Sequence, residues 1–176
     1  MLSLLLTLSL AAQPAVGEVA PDFTVKSADG VDLNLTALTE KGVVVLAFFP
    51  KAFTPGCTAE LTAYVKHYDE IKKAGGEVIV VSGDDKETEL KFKESLKAPY
   101  PFIADRQLEL IKSYDVKGFL FPISKRITFV IGAGRKVLAV QEGGDAVDPK
   151  AAVAVCNIHA GSAVKLVTGA ADAGVR

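Results

Sequence analysis

The sequence predicts a single α/β domain, with a mixed central sheet and helices on both of its faces. Three observations carry that prediction. Val43–Phe49 (VVVLAFF) and Glu77–Ser82 (EVIVVS) are apolar almost throughout, the pattern of strands buried on both faces. Each is followed by a segment whose apolar residues recur at helical spacing. Two further pairs of short strand-like segments, one near each end of the chain, are joined by Gly-containing turns and add antiparallel hairpins.

Taken in order, Phe23–Lys26 and Val31–Leu35 flank Ala28-Asp29-Gly30, a hairpin turning at Asp-Gly. Val43–Phe49 ends at Pro50, which cannot donate to a ladder. After the loop Lys51–Gly56, the segment Cys57–Lys73 places Leu61, Tyr64, Val65, Tyr68 and Ile71 at helical spacing, and Gly75-Gly76 ends it. Glu77–Ser82 is the second buried strand and Lys86–Lys97 a charged amphipathic helix. Tyr100–Ala104 reads as a short strand and Gln107–Tyr114 as a short helix. Arg126–Ile131 and Lys136–Glu142 are strands joined across Gly132-Ala133-Gly134. Asp148 as N-cap and Pro149 at the first helical position open a last helix through about Val167. The domain is expected over 18–168, followed by a small, polar, fraying tail, 169–176.

Composition narrows the function. A chain of 176 residues, 49% hydrophobic and 23% charged, is globular and long enough for one well-filled core. The net charge of −1 comes with evenly spread Lys and Arg, so no basic stripe exists to grip phosphates, and nucleic acid is not an expected partner. Two cysteines do not make a disulfide scaffold, so each thiol is judged on its surroundings.

Met1–Ala12 (MLSLLLTLSLAA) has the length of a signal-peptide h-region. It is shorter than the roughly 20 apolar residues that span a bilayer, so stable membrane insertion is not expected. Small residues follow at Ala12, Ala15 and Gly17, although no Lys or Arg precedes the apolar run. The expectation is export to a periplasmic or extracellular space, with residues 1–17 removed and the mature protein starting near Glu18. An N-terminal extension on a cytoplasmic protein is the alternative.

Cys57 is the chemically informative residue. Pro50-Lys51-Ala52-Phe53-Thr54-Pro55-Gly56-Cys57 leaves a buried strand and enters a helix, which sets the thiol in the helix's first turn. Unpaired backbone N–H groups and the positive end of the helix dipole lower a thiol's pKa there, and the thiolate is the reactive form. Strand-to-helix junctions in open α/β sheets are also where ligand crevices form. His67 lies ten residues further, roughly 15 Å along the helix axis, beyond the reach of a Cys–His pair.

The segment resembles the P-x-x-x-T-x-x-C active-site loop of the peroxiredoxin family (AhpC/TSA type), with Pro50, Thr54 and Cys57 in register. The string FTPGCT, Phe53 to Thr58, is similar to the bacterioferritin comigratory protein (PrxQ) subfamily. Glu60, the run YPFIAD (Tyr100–Asp105) and RITFVI (Arg126–Ile131) extend the similarity over nearly the whole domain. The resemblance implies a thioredoxin-like fold and a thiol-dependent peroxidase that reduces hydrogen peroxide and organic hydroperoxides without a cofactor or metal. It implies Cys57, Thr54, Arg126, Pro50 and Glu60 as catalytic residues, and Gly56, Thr54 and Phe53 as the peroxide-binding surface. In that reading Arg126 holds the thiolate, Pro50 screens it from water, and Glu60 orients Arg126. The implied partners are the hydroperoxide and an external thiol reductant such as thioredoxin, with the protein a monomer or weak homodimer.

Many members of that subfamily carry a resolving cysteine five residues after the nucleophile, where this chain has Thr62. Three readings of Cys156, in the apolar run AAVAVCNI, stay open: a core thiol, a possible resolving cysteine, or half of a metal pair with His159. Three functional alternatives also stay open. A thioredoxin-like thiol–disulfide oxidoreductase lacks its C-x-x-C partner here, and a metal chaperone would need a second thiol in the loop. A peroxide sensor shares the first chemical step with a peroxidase.

Overall fold

The computed structural model describes residues 12–119 and 123–159. Met1–Ala11, residues 160–167 of the expected last helix and the tail therefore lie outside the described residues. Strand β1 (Thr24–Lys26) pairs antiparallel with β2 (Asp32–Asn34) in the hairpin expected from Asp29-Gly30. Helix α1 (Leu35–Lys41) follows at once, starting on the residue where the expected strand ends and running through residues to which the sequence reading assigns no element. Its cause is local: the Asn34 side chain accepts from the Ala37 N–H at 2.7 Å and caps the first turn.

The chain then runs through β3 (Val44–Phe48), α2 (Pro55–Lys73), β4 (Glu77–Ser82), α3 (Lys86–Leu96), β5 (Phe102–Ala104) and α4 (Glu109–Ser113). It closes with β6 (Ile127–Gly132), β7 (Lys136–Glu142) and a helix α5 that occupies 150–159. Strand order is β5-β4-β3-β6-β7, with β3, β4 and β5 parallel and β6 and β7 antiparallel additions, so the sheet is mixed. This is the thioredoxin-like arrangement, preceded by its N-terminal hairpin.

Alternation along the central strands divides the core. Val44, Leu46 and Phe48 face one side, with Phe129, Leu35 from α1 and Ile111 from α4. Val45, Ala47 and Phe49 face the other, with Leu61 and Tyr64 from α2, Phe92 from α3, and Val153 and Cys156 from α5. Helix α2 ends at Gly75, whose φ of +75° suits glycine, and Gly76 N–H reaches back to the Ile71 carbonyl at 2.8 Å.

The segment before β1 also belongs to the fold. Gly17 N–H donates to the Val137 carbonyl and Val137 N–H to the Glu18 carbonyl, both at 2.8 Å, while Gln13 reaches Glu142. Packing thus begins by Gln13, ahead of the Glu18 start that the small residues suggested. The reason is that this stretch pairs with β7 and covers an otherwise open sheet edge. Among the described residues, no helix is long and apolar enough to cross a membrane.

Candidate active site

The site forms where β3 ends and α2 begins. Pro50 stops the ladder, Thr54 takes the N-cap position, and Pro55 fills the first helical position, where a missing N–H costs nothing. The helix thus starts at Pro55, two residues before the start read from the sequence, and Cys57 is its third residue. Gly56 and Cys57 N–H groups precede any possible intrahelical acceptor and point along the helix toward the loop's concavity. Cys57 is fully buried and free.

Arg126 arrives from the neighbouring strand. The antiparallel register pairs Phe48 with Ile127, so the next step sets Arg126 beside Phe49, at the exit of β3. Ser124 strengthens that junction by donating to the Phe49 carbonyl at 2.6 Å. Arg126 Nη2 donates to Cys57 Sγ at 3.4 Å while Nη1 forms an ion pair with Glu60 Oε2. Glu60 shares the buried face of α2 with Cys57, three residues on. The guanidinium therefore bridges the carboxyl and the thiol, and sets a positive charge and an N–H donor beside the sulfur.

Glu60 is fully buried, and that burial outweighs the Arg126 charge and hydrogen bond, pushing its carboxyl up to about 7. Its Oε1 has no hydrogen-bond partner among the described residues. Gly56 has a specific reason to be glycine: a Cβ there would sit 2.9 Å from Arg126 Nη2. Thr54 Oγ1 donates to the Lys51 carbonyl at 2.9 Å, which leaves its lone pairs to accept a hydrogen bond from a ligand. Phe53 adopts φ +61°, is 56% exposed, and rests its ring on Phe92 with centroids 4.8 Å apart. Pro50 is half-buried at the mouth of the loop.

The structure thus brings Pro50, Phe53, Thr54, Gly56, Cys57, Glu60 and Arg126 to one corner of the sheet. It does not bring Cys156 there. A Cβ on Gly76 would lie 3.3 Å from Cys156 Sγ, so that thiol packs at the far end of α2. Ile71, also against Gly76, is fourteen residues beyond Cys57, or about 21 Å along the axis. A disulfide needs Cα atoms within about 7 Å. Burial also pushes the Cys156 thiol up to about 11, away from thiolate character. His67 stays on the outer surface of α2 against Glu70, and among the described residues no group of three or more His, Cys, Asp or Glu side chains is arranged to hold a metal ion.

Sequence reasoning passed over Ser82, Asp84 and Glu89, which support the loop from behind. A signal was present: Glu89, Phe92 and Leu96 fall at i, i+3 and i+7, which places Glu89 on the apolar stripe of α3.

Residues 16–140 match the AhpC/TSA family, and the chain belongs to that family. It is 38% identical over 124 residues to chloroplastic peroxiredoxin Q of Suaeda salsa, a match covering 70% of this chain and 58% of that protein. It is 40% identical over 116 residues to the Arabidopsis thaliana chloroplastic peroxiredoxin Q, covering 65% and 53%. The chain therefore spans less than two thirds of the length of these curated relatives. The crystal structure of peroxidoxin BcpB from Mycobacterium tuberculosis superposes with a TM-score of 0.75 at 32% identity, covering 81% of this chain and 96% of that one. A Xanthomonas campestris peroxiredoxin Q structure gives 0.71 at 24% identity, covering 78% and 91%, and supports the fold.

Proposed function

We propose that this protein is a thiol-dependent peroxidase acting on hydrogen peroxide and organic hydroperoxides. The observation that carries the reading is Arg126 Nη2 on Cys57 Sγ, at the N-terminal turn of α2. The Cys57 thiolate attacks the terminal oxygen of R–O–O–H. The S–O bond forms as the O–O bond breaks, Cys57 becomes a sulfenic acid, and the departing RO⁻ takes a proton to leave as alcohol or water. Negative charge moves from sulfur to the leaving oxygen, and Arg126 with the Gly56 and Cys57 N–H groups is placed to receive it. Thr54 Oγ1 accepts from the peroxide hydroxyl, while Pro50 and Phe53 wall the site.

An external thiol closes the cycle. It attacks the sulfenic sulfur, expels water, and forms a mixed disulfide that a second thiol reduces. The separation of Cys156 from Cys57 supports an external reductant, such as thioredoxin, over internal resolution. The test is steady-state peroxide consumption with thioredoxin and its reductase, where sustained turnover supports a peroxidase. A single oxidation without turnover under any thiol supports a peroxide sensor instead. We read the protein as a monomer or weak homodimer.

Residues 1–12 we read as an export signal. Because residues 13–20 pack along β7, removal is expected ahead of Gln13 rather than at Glu18. Sequencing the N-terminus of native protein decides it: an intact Met1 contradicts export.

A further inference from the structure

Five residues ahead of the nucleophile, the Ala52 N–H donates to Asp84 Oδ2 at 2.7 Å. Asp84 is held by Ser82, the buried last residue of β4. The Ser82 hydroxyl lies 3.1 Å from that same carboxylate oxygen and accepts from the Asp84 N–H at 3.0 Å. It also hydrogen-bonds Glu89 Oε1 on α3, and Glu89 is fully buried. A continuous chain of hydrogen bonds thus runs from a buried carboxyl, through a hydroxyl and a second carboxyl, into the loop that carries Cys57.

The hydrogens in this chain can be counted. Ser82 has one hydroxyl hydrogen and two carboxyl neighbours, so it cannot donate to both. With Glu89 protonated, its O–H donates to Ser82, Ser82 donates to Asp84, and Asp84 accepts from Ala52. Burial, reinforced by the like charges of Asp84 and Asp85, pushes the Glu89 carboxyl up to about 8, outweighing the hydrogen bond that Ser82 could donate to its ionised form. The remaining charged groups nearby are otherwise engaged or more open. Asp105 turns its carboxylate to the Glu109 and Ile111 N–H groups, and Lys51 and Arg106 line the groove outside the loop.

What this chain holds is strained. Phe53, the residue after Ala52, has a positive φ, a strained conformation for a non-glycine residue that persists only where contacts over-determine it. The Asp84 bond fixes one side of that turn, and the Phe92 ring, one turn after Glu89 on α3, fixes the other.

We infer that Asp84, oriented by Ser82 and the buried Glu89, is a positioning residue that clamps the Ala52–Phe53 turn and so aims Thr54, Gly56 and Cys57 at the peroxide. The inference rests on the peroxidase reading above. Its test compares two single-turnover rates of Cys57, one with hydrogen peroxide and one with iodoacetamide, which needs a thiolate but no peroxide geometry. Asp84→Ala slows the peroxide reaction about tenfold or more and leaves alkylation within about twofold. Asp84→Asn, which keeps an oxygen acceptor for Ala52, recovers most of the loss. Glu89→Gln matches the unaltered protein at pH 7 and exceeds it several-fold at pH 9, where the native carboxyl has ionised and competes for the Ser82 hydrogen. An unchanged peroxide rate in Asp84→Ala, equal losses in both reactions, or rates for Glu89→Gln that track the unaltered protein at both pH values would overturn the assignment. Unaltered protein reacting with peroxide no faster than free cysteine would overturn the peroxidase reading itself, and this inference with it.

Discussion

Arg126 serves two partners at once, and Gly56 is what lets it. Nη1 is tied to a fully buried Glu60, so the guanidinium has little freedom to retreat from Cys57. A methyl group on Gly56 would press on Nη2 from 2.9 Å. Gly56→Ala is therefore expected to turn the donor off the sulfur and slow peroxide reduction on the order of tenfold, with the fold intact. Stopped-flow kinetics beside a far-UV circular dichroism spectrum check this, and an unchanged rate would contradict it. At this scale the sequence was partly readable. Pro50, Thr54, Gly56 and Cys57 are adjacent in the chain, so their shared loop is local information. Arg126 lies 69 positions from Cys57, and only strand register or the family resemblance selects it over Arg106 or Arg135.

Helix α2 acts as a ruler between the two thiols. It carries Cys57 in its first turn and packs Cys156 against its C-terminal end. Internal resolution would require most of α2 to unfold, which its buried Leu61, Tyr64 and Ile71 oppose. Cys156→Ala is accordingly expected to leave the peroxide rate within about twofold of the unaltered protein, the cost being packing in the core. A non-reducing mass spectrum after one equivalent of peroxide should show no Cys57–Cys156 bond, and finding that bond would refute the geometry. Element types were largely legible because the apolar runs and their periods are strong. Helix α1 escaped because Leu35 reads as the end of a strand and the helix is only seven residues long, while the deciding contact is a single Asn34 cap. The place of Glu89 on the apolar stripe of α3 was legible, but its link through Ser82 to Asp84 joins separate elements, which spacing along one helix does not show.

Across the molecule, two buried acids set the pH response. Glu60 is pushed up to about 7 and Glu89 to about 8, against an ordinary value of 4.5. The folded protein then holds more protons than the unfolded chain between pH 4.5 and 8. The stability these groups contribute is complete below 4.5 and is lost as pH rises through 7 and 8. Thermal unfolding is expected at progressively lower temperature from pH 5 to 8.5, with Glu89→Gln flattening the fall; a transition rising over that range would contradict it. Such coupling was invisible in the sequence, because burial of a given carboxyl is a property of the assembled layers. The central claim remains the chemistry at Cys57, and one measurement reaches it directly. Protein treated with one equivalent of hydrogen peroxide and analysed by mass spectrometry should gain one oxygen atom, located on Cys57, while Cys57→Ser gains none and consumes no peroxide. Oxygen on Cys156 instead, or undiminished peroxide consumption by Cys57→Ser, would contradict the account.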